Sequence, residues 1–207
     1  MQALERIHST APLEEILAIY ERDGGLIMEE MVTLDVIDEL RAAADVYAAG
    51  VTPGSANQGL GDDGKAFVGA RTIRFSSLGL LSPAYFTLLD NPVFAAVADA
   101  VLLPNCGSYW VNTGQVMYIN PGQPAQAIHR DANNWWQFVE ATWPNSPEIT
   151  VSAMIGLEDV TEELGATRVV PGSHRAKELE RMTEAESVPA ELGPGDALIY
   201  PGYTQHG

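Results

Sequence analysis

Three side chains of this sequence have the types and the spacing of a metal-binding set. His129 and Asp131 are two residues apart, and a β-strand would place both on one face because its side chains alternate. His206, far along the chain, could supply a third ligand if the fold returns on itself. Two imidazoles and one carboxylate on one face of a divalent iron leave other coordination positions open for a cosubstrate and dioxygen.

The sequence around both segments favours a buried site. On its own, a His-x-Asp pair is more often a hydrogen-bonded pair on the surface. Here an apolar strand and a Pro121-Gly122 turn precede the pair, and a polar–aromatic segment at 133–136, of the kind that lines ligand pockets, follows it. His206 ends a second strand-and-turn unit at 194–206. These contexts raise the three residues from a weak pattern to a predicted metal site.

Helical periodicity predicts three helices in the first half of the chain. Residues 12–22 and 34–49 carry apolar side chains at helical spacing, and Thr33 stands where a capping residue is expected. Asn91-Pro92 predicts the start of a third helix, since Pro is favoured at the first helical position. The glycine-rich stretch 50–66 predicts a long connection, which is typical either of a disordered segment or of a lid over a site, and we favour the lid. The predicted buried stripe of the second helix is Leu34, Ile37, Leu40, Ala44 and Tyr47.

From residue 107 onward the pattern is mostly that of short strands. Gly, Pro, Asn and Ser clusters divide the apolar runs. The predicted strands are 26–28 and 67–78 in the first half, and 109–111, 115–119, 149–157, 166–170, 188–192 and 197–200 in the second. Helices followed by strands predict an α+β fold that is mainly β with N-terminal helices, and a jelly roll is the natural candidate.

The composition disfavours several classes of partner. The chain has 11 basic and 28 acidic residues, and its net charge of −17 would repel phosphate backbones and anionic lipids. We therefore predict neither nucleic-acid nor membrane binding, and no stretch approaches the roughly 20 apolar residues of a membrane span. The single cysteine, Cys106, permits no intrachain disulfide, is expected to be buried, and fits a reducing, cytoplasmic location.

Four ordered segments resemble the phytanoyl-CoA dioxygenase family, in particular its fungal secondary-metabolite members such as the meroterpenoid dioxygenases. They are the iron-binding segment at 124–131, the opening strand at 23–28, the segment at 163–174 with Leu164 where Asn is usual, and the strand at 194–206. The resemblance implies a double-stranded β-helix (jelly-roll) core in a single oxygenase-like domain, 1–207. Its helices would be concentrated in 12–103 and its β-rich core would span 107–207. A homodimer is expected by analogy only.

The same resemblance assigns roles to individual residues. It implies that His129, Asp131 and His206 hold Fe(II), and that 2-oxoglutarate and O2 are the cosubstrates. Gln126 and Thr167 match positions that contact 2-oxoglutarate. Gln126 lies an odd number of residues before His129, so on a regular strand it would face away, and the contact requires a twist or a bulge.

Other residues near the triad suggest the remaining contacts. Arg74, in the strand-like stretch 67–78, could reach 2-oxoglutarate. Asn134, Trp135 and Tyr118 are candidate substrate contacts, although the tryptophan could equally be a core residue. Because the residues near the triad are aromatic and apolar, we predict oxidation of a small, largely apolar natural product. A CoA thioester is disfavoured, since nothing basic gathers near the site.

One departure from the family pattern leaves alternatives open. In the family the distal His is followed by further strands and by an Arg that pairs with the far carboxylate of 2-oxoglutarate, whereas this chain stops at Gly207. We therefore expect a C-terminally truncated domain that lacks its last strands. The alternatives are an inactive relative, a non-catalytic β-barrel binding module, or a cupin-like metalloenzyme that does not use 2-oxoglutarate.

Overall fold

The computed structural model describes residues 3–176 and 181–207, which form a mixed arrangement of helices and short strands. The helices are α1 (Leu13–Asp23), α2 (Leu34–Ala48), α3 (Asp62–Val68), α4 (Ala84–Leu89), α5 (Pro92–Leu102) and α6 (Trp136–Val139). The strands are β1 (Arg6–His8), β2 (Leu26–Glu29), β3 (Thr72–Ser76), β4 (Gln115–Ile119), β5 (Val151–Ile155), β6 (Arg168–Val169), β7 (Val188–Pro189) and β8 (Ala197–Pro201). Short 3₁₀ segments lie between them, among them Asp131–Trp135.

A four-stranded sheet in the order β1-β2-β8-β5 forms the centre of the molecule. β1 is parallel to β2, and β8 runs antiparallel to both of its neighbours. β8 is buried at every position, and the principal apolar core lies between this sheet and the helices α1 and α5. The segment that carries His206 therefore leaves the most deeply buried strand of the sheet. The prediction of β2 and β8 is confirmed, whereas the three-residue strand β1 was not predicted.

α1 lies within one residue of its predicted bounds. Glycine is required directly after it, because Gly24 adopts a φ of 70° and donates its N–H to Tyr20 O at 2.9 Å. A Cβ at Gly24 would also lie 2.1 Å from Nδ1 of His174, so any larger residue would displace that ring. This close approach joins the end of α1 to the turn at 173–175.

α2 buries a narrower stripe than predicted. Ile37, Leu40 and Ala44 are buried, but Leu34 and Tyr47 are 61% and 46% exposed. Tyr47 places its ring at the rim of the β3–β4 pair, where its centroid lies 4.6 Å from that of Phe75. The predicted ends of the stripe therefore lie outside the packed surface. Thr33 is the N-cap residue, but its side chain makes no capping hydrogen bond.

The start of α5 is as predicted. Asn91 accepts hydrogen bonds from the N–H groups of Val93 and Phe94 at 3.1 and 3.0 Å, and Pro92 occupies the first helical position. The amide of Asn91 also donates to Met31 O at 2.8 Å. This one side chain both starts the helix and fixes it to the loop after β2.

Three expectations from the sequence are wrong in detail. The stretch 50–66 contains a 3₁₀ turn, Ser55–Asn57, and most of α3, so it is more structured than predicted. The predicted strand at 109–111 is irregular and exposed chain, with Trp110 82% exposed. Short aromatic runs predict strands poorly when no partner strand is available for them. Cys106 is exposed instead of buried.

The class of the fold is mixed helix and sheet, and not mainly β. The α-helices account for more of the described residues than the strands do. Within residues 3–176 and 181–207 the strands form one four-stranded and two two-stranded sheets that do not close on one another. No helix in these ranges is long and apolar enough to cross a membrane.

Candidate metal centre

Two extended segments meet at the predicted ligands. His129 N donates to His206 O at 2.7 Å, and His206 N donates to His129 O at 2.9 Å. Val169 of β6 bridges to His206 from the other side. The chain therefore does return on itself, and it aligns the two histidines directly opposite each other. Their ring centroids are 4.4 Å apart.

The three predicted ligand atoms face one another. Nε2 of His129 lies 3.7 Å from Oδ1 of Asp131, and Nε2 of His206 lies 3.8 Å from the same oxygen. All three donor atoms lie within 4.8 Å of one another. Among the described residues, this is the one group of three His, Cys, Asp or Glu side chains arranged to hold a metal ion.

The second nitrogen of each imidazole is held by the backbone. Nδ1 of His129 lies 3.0 Å from Ala127 O, and Nδ1 of His206 lies 3.0 Å from Thr204 O. A carbonyl oxygen can only accept, so Nδ1 carries the proton in both rings. Nε2 is then left with its lone pair directed at the cluster, which is the tautomer that a metal requires.

The charges of the cluster also suit a divalent cation. Burial opposes ionisation of Asp131, but the neighbouring His129 and His206 rings and the Ser152 hydroxyl outweigh it and lower the pKa of the carboxyl. Burial lowers the pKa of His206, which keeps that imidazole neutral near pH 7. A carboxylate and neutral imidazoles are the forms that bind metal. The donor set, its tautomers and its charges therefore fit iron(II).

The local backbone differs from the predicted strand. Arg130 is extended, with φ −118° and ψ 133°, but Asp131 begins the 3₁₀ segment Asp131–Trp135. His129 forms one isolated β-bridge, to His206, and is not part of a longer strand pairing. The prediction that both side chains address one point is confirmed, although a turn and not a continuous strand orients the carboxylate.

Two aromatic rings beside the ligands had no signal in the sequence. The ring of Phe67, on α3, meets His129 edge to face at 4.7 Å between centroids. The ring of Tyr200, on β8, lies 4.6 Å from that of His206. Burial, to which the nearby Asp131 charge adds, raises the pKa of the Tyr200 hydroxyl, so it stays protonated. Both contacts are made across the fold, which is why spacing along the chain did not reveal them.

The predicted cosubstrate residues occupy different surroundings. The amide of Gln126 donates to Phe67 O at 2.9 Å, so it is bound to α3. The hydroxyl of Thr167 donates to Sδ of Met154 at 2.8 Å. Arg74, on β3, has a buried Nε without a hydrogen-bond partner in the described structure, and burial lowers the pKa of its guanidinium.

The predicted substrate contacts do not share one surface. The amide of Asn134 donates to Asp131 O at 3.1 Å, one turn from the cluster. Trp135 is half-buried at the end of the same 3₁₀ segment. Tyr118 faces α2, where its hydroxyl donates to Asp45 at 2.7 Å and its ring stacks on Phe75. The alternation of β4 therefore directs Met117, and not Tyr118, to the face away from α2.

A surface depression of about 650 Å³ lies elsewhere on the molecule. It is bounded by α2 and the following 3₁₀ turns, and no ligand of the cluster contributes to it. Its lining residues are Ala43, Val46, Tyr47, Gly50, Val51, Leu80 and Leu81. We give this shallow groove no part in the chemistry, because no His, Cys, Asp or Glu side chain that could bind a metal is among its lining residues.

The sequence and the structure were compared with known proteins. A family model described as phytanoyl-CoA dioxygenase (PhyH) matches residues 20–207. Dioxygenase olcK of Penicillium canescens is 32% identical over 205 residues, which are 97% of this chain and 66% of that protein. Dioxygenase andF of Emericella variicolor is 32% identical over 197 residues, 94% of this chain and 67% of that protein. The chain thus spans about two thirds of the length of these relatives.

Solved structures share the fold. SnoN, a non-haem alpha-ketoglutarate-dependent epimerase from nogalamycin biosynthesis, superposes with a TM-score of 0.62 at 23% sequence identity. The match covers 94% of this chain and 74% of SnoN. SnoN has also been solved in complex with Fe3+, alpha-ketoglutarate and nogalamycin RO. At this level of identity the similarity concerns the architecture.

Proposed function

This chain belongs to the phytanoyl-CoA dioxygenase family, whose members depend on iron(II) and 2-oxoglutarate, and we propose that it oxidises a small, largely apolar natural product. The reaction would be a hydroxylation, a desaturation or a related oxidation. The dioxygenase names of its fungal relatives support the reaction class. The substrate class is proposed from the aromatic and apolar residues near the cluster.

One observation supports the proposal most directly. Nε2 of His129, Nε2 of His206 and a carboxylate oxygen of Asp131 converge, while each Nδ1 is bound to a carbonyl behind the ring. Three protein ligands on one side leave the remaining positions of an octahedral ion accessible. We therefore assign these three residues as the iron ligands.

Iron(II) and 2-oxoglutarate, when bound, would supply the electrons that reduce dioxygen and the oxidising power that acts on the substrate. The residues of the chain have simpler tasks. His129, Asp131 and His206 would hold the ion, with Asp131 as a carboxylate and His206 as a neutral imidazole. Phe67 and Tyr200 cover the two imidazoles with apolar rings, which excludes water from that side of the site.

Arg74 is the best-supported contact for the cosubstrate. It lies on the face of β3 opposite to Phe75, whose side chain packs against α2. Its guanidinium is partly buried, and the hydrogen bond that its Nη1 donates to Oε1 of Gln115 is long, at 3.4 Å. A partly buried cation with an unpaired Nε is a natural partner for a carboxylate of 2-oxoglutarate. Gln126 and Thr167 remain proposed cosubstrate contacts.

The substrate contacts are proposed on the aromatic side of the cluster. Phe67 is 41% exposed and touches His129, so it offers an apolar surface beside the metal. Trp135 and Asn134 follow Asp131 on the same 3₁₀ segment and would contact the substrate at its polar edge. We no longer include Tyr118, because its hydroxyl and its ring are both engaged on the α2 side.

We propose that the fold is a double-stranded β-helix. The four-stranded sheet would form one layer. The bridges that join His129, His206 and Val169 would be the beginning of the facing layer. In this arrangement the ligands lie between the layers, at the point where the two segments meet.

Anaerobic titration tests the proposed function. Adding iron(II) and then 2-oxoglutarate to the metal-free protein should produce a weak visible charge-transfer band, and admitting air should release succinate. A band with succinate release supports the oxygenase. Metal binding without consumption of 2-oxoglutarate would instead indicate a cupin-like metalloenzyme. Absence of both metal binding and succinate would contradict the proposal and favour a non-catalytic relative.

A further inference from the structure

The two segments that carry the proposed ligands, 129–132 and 202–206, pair with unequal numbers of residues. Besides the mutual bonds between His129 and His206, Ala132 N donates to Gly202 O at 3.0 Å. Three residue steps on the first segment, from His129 to Ala132, therefore face four steps on the second, from Gly202 to His206. The additional residue makes a bulge beside all three ligands. Its backbone groups cannot pair across the two segments and need other partners.

Arg130 meets this requirement from the opposite side of the ligand segment. Its side chain is 5% exposed, and its Nε donates to Tyr203 O, inside the bulge, at 2.9 Å. Nη2 approaches Ser173 O at 3.4 Å. The guanidinium carbon lies 5.5 Å from the ring centroid of Trp143, which itself packs on the ring of Tyr203 at 5.1 Å. Arg130 thus contacts backbone carbonyls and an aromatic ring on the side away from the cluster.

The turn at Ser173 links the two segments through hydrogen bonds to Arg130 and Gln205. The Ser173 hydroxyl accepts a hydrogen bond from Gln205 N at 2.8 Å, directly before the third ligand. The same residue thus accepts from Arg130, on the first segment, and from Gln205, on the second. The hydroxyl of Thr204 donates to Gly24 O at 2.5 Å, which fixes the bulge to the end of α1. Side chains and loops outside the cluster therefore determine the path of the bulge.

We propose that Arg130 is a positioning residue that sets the distance between His206 and the His129–Asp131 pair. It holds the bulged carbonyl of Tyr203 and the Ser173 turn with one rigid, planar group. A guanidinium presents several donors in fixed directions, whereas an ammonium is a compact point charge on a flexible stem. Arg130 never touches the metal, so its effect reaches the site through the backbone of both segments. This inference rests on the proposed iron site.

Cobalt(II) binding tests the proposal without relying on turnover. Cobalt(II) takes the place of iron(II), and its visible absorption bands respond to the positions of the ligands. We expect Arg130→Met, which keeps the side-chain bulk but has no donor, to weaken cobalt(II) binding at least about 10-fold and to shift the bands. Arg130→Lys, whose donors all lie on one nitrogen at the end of a flexible stem, should fall between Arg130→Met and the wild type in both measurements. Circular dichroism and thermal melting confirm that each variant is folded.

Arg168 provides the matched control. Its guanidinium also holds the backbone, through Ser187 O at 2.8 Å, and the residue adjoins Val169, the bridge partner of His206. Its side chain, however, joins β6 to the segment before β7 and not the two ligand segments. Arg168→Met should therefore lower the thermal stability but leave the cobalt(II) spectrum unchanged.

The outcomes separate this proposal from the proposed function. A wild-type protein that binds no cobalt(II) would overturn the iron site, and this proposal with it. Wild-type binding combined with an unaltered spectrum and affinity in Arg130→Met would overturn the positioning role alone. If Arg130→Met does not fold, Arg130→Lys decides the question. A wild-type spectrum and affinity in that variant would show that the planar guanidinium is not needed, and would overturn the positioning role.

Discussion

Both imidazoles of the cluster use the same local device. Each Nδ1 lies 3.0 Å from the carbonyl oxygen two residues earlier in the chain, Ala127 O for His129 and Thr204 O for His206. Because the partner is so close in sequence, the orientation of each ring depends little on the third ligand. Removal of Asp131 should therefore leave the two histidines, and the fold around them, in place.

The first prediction follows from this independence. Asp131→Ala should abolish iron-dependent succinate release and change the melting temperature little, because it removes a ligand and no core packing. Succinate assay and circular dichroism are the two measurements. Asp159→Ala, which removes an exposed carboxylate from a turn, is the control and should keep wild-type activity. Full activity in Asp131→Ala would show that the ligand assignment is wrong.

The ligands were predictable from the sequence because their residue types and spacing are intrinsic to the chemistry. His129, Asp131 and His206 are brought together as expected. Phe67 and Tyr200 were not predictable, because an aromatic residue becomes part of a site only through tertiary contact. The position of Tyr118 against α2 illustrates the same limit, because strand alternation puts Met117 and Tyr118 on opposite faces but does not show which face borders the site.

Helix starts show how far local sequence determines an element. Asn91 and Thr33 both occupy the N-cap position, but only Asn91 accepts hydrogen bonds from the first turn of its helix. Residue type thus located both starts correctly. It did not show which side chain would make the bonds, since that depends on the rotamer the surroundings allow.

The second prediction compares these two caps. Asn91→Ala should lower the free energy of unfolding by about 1–2 kcal/mol, because two N–H groups of α5 lose their acceptor and Met31 O loses a donor. Thr33→Ala should lower it by less than about 0.5 kcal/mol. Urea denaturation of both variants measures the difference. Equal losses would contradict the assignment of the cap.

α3 is the element nearest the cluster that has the least packing. None of its residues is buried, and its carboxyl end is held through backbone carbonyls. The amide of Gln126 binds Phe67 O at 2.9 Å, and the hydroxyl of Thr72 binds Val68 O at 2.6 Å. The stretch interpreted from its glycines as a lid therefore ends in a short helix, which meets the ligand segment through the Gln126 hydrogen bond and the contact between the Phe67 and His129 rings.

The third prediction tests that attachment. Gln126→Ala should speed amide exchange across α3 about five-fold, the equivalent of one hydrogen bond of roughly 1 kcal/mol. Amides of α1 should exchange as in the wild type. Gln123→Ala, which removes an acceptor for Arg71 N beyond the end of the helix, is the comparison variant. Unchanged exchange in α3 would mean that Gln126 does not hold it.

At the scale of the whole molecule, the positions of the strands were predicted better than their lengths. The hydrophobic runs located β2, β4, β5 and β8, and turn residues separated them. The predicted combination of helices and strands is confirmed, but the β content is lower than predicted because some of the runs form only two paired residues, as in β6 and β7. Pairing requires a partner at the right distance, which is a property of the assembled chain and not of any one segment.

The folded state is favoured at low pH both by the overall charge of the molecule and by one buried carboxyl. The net charge is −17, so protonation relieves repulsion across the surface. One carboxyl adds a specific effect. Glu148 accepts hydrogen bonds from Ile149 N and Thr150 N at 3.1 and 3.4 Å, yet burial beside the sheet outweighs them and raises its pKa to about 7.

The fourth prediction follows from this carboxyl. Its pKa is about 7 in the folded protein and 4.5 as the ordinary value, so the folded state binds the proton more tightly than the unfolded state does. The stabilisation that Glu148 gives to the folded state is therefore complete below about pH 4.5 and is lost as the pH rises through about 7. This loss lowers the free energy of unfolding by at most about 3 kcal/mol. Glu148→Gln removes this titration and keeps an acceptor, so its free energy of unfolding should fall less than that of the wild type between about pH 5 and about pH 8, a range that contains the pKa of the folded state. The exposed Glu140→Gln removes the same charge, and its profile should run parallel to the wild type. Urea denaturation of the metal-free proteins across this range measures the difference, and parallel profiles for Glu148→Gln and the wild type would show that burial does not control this group.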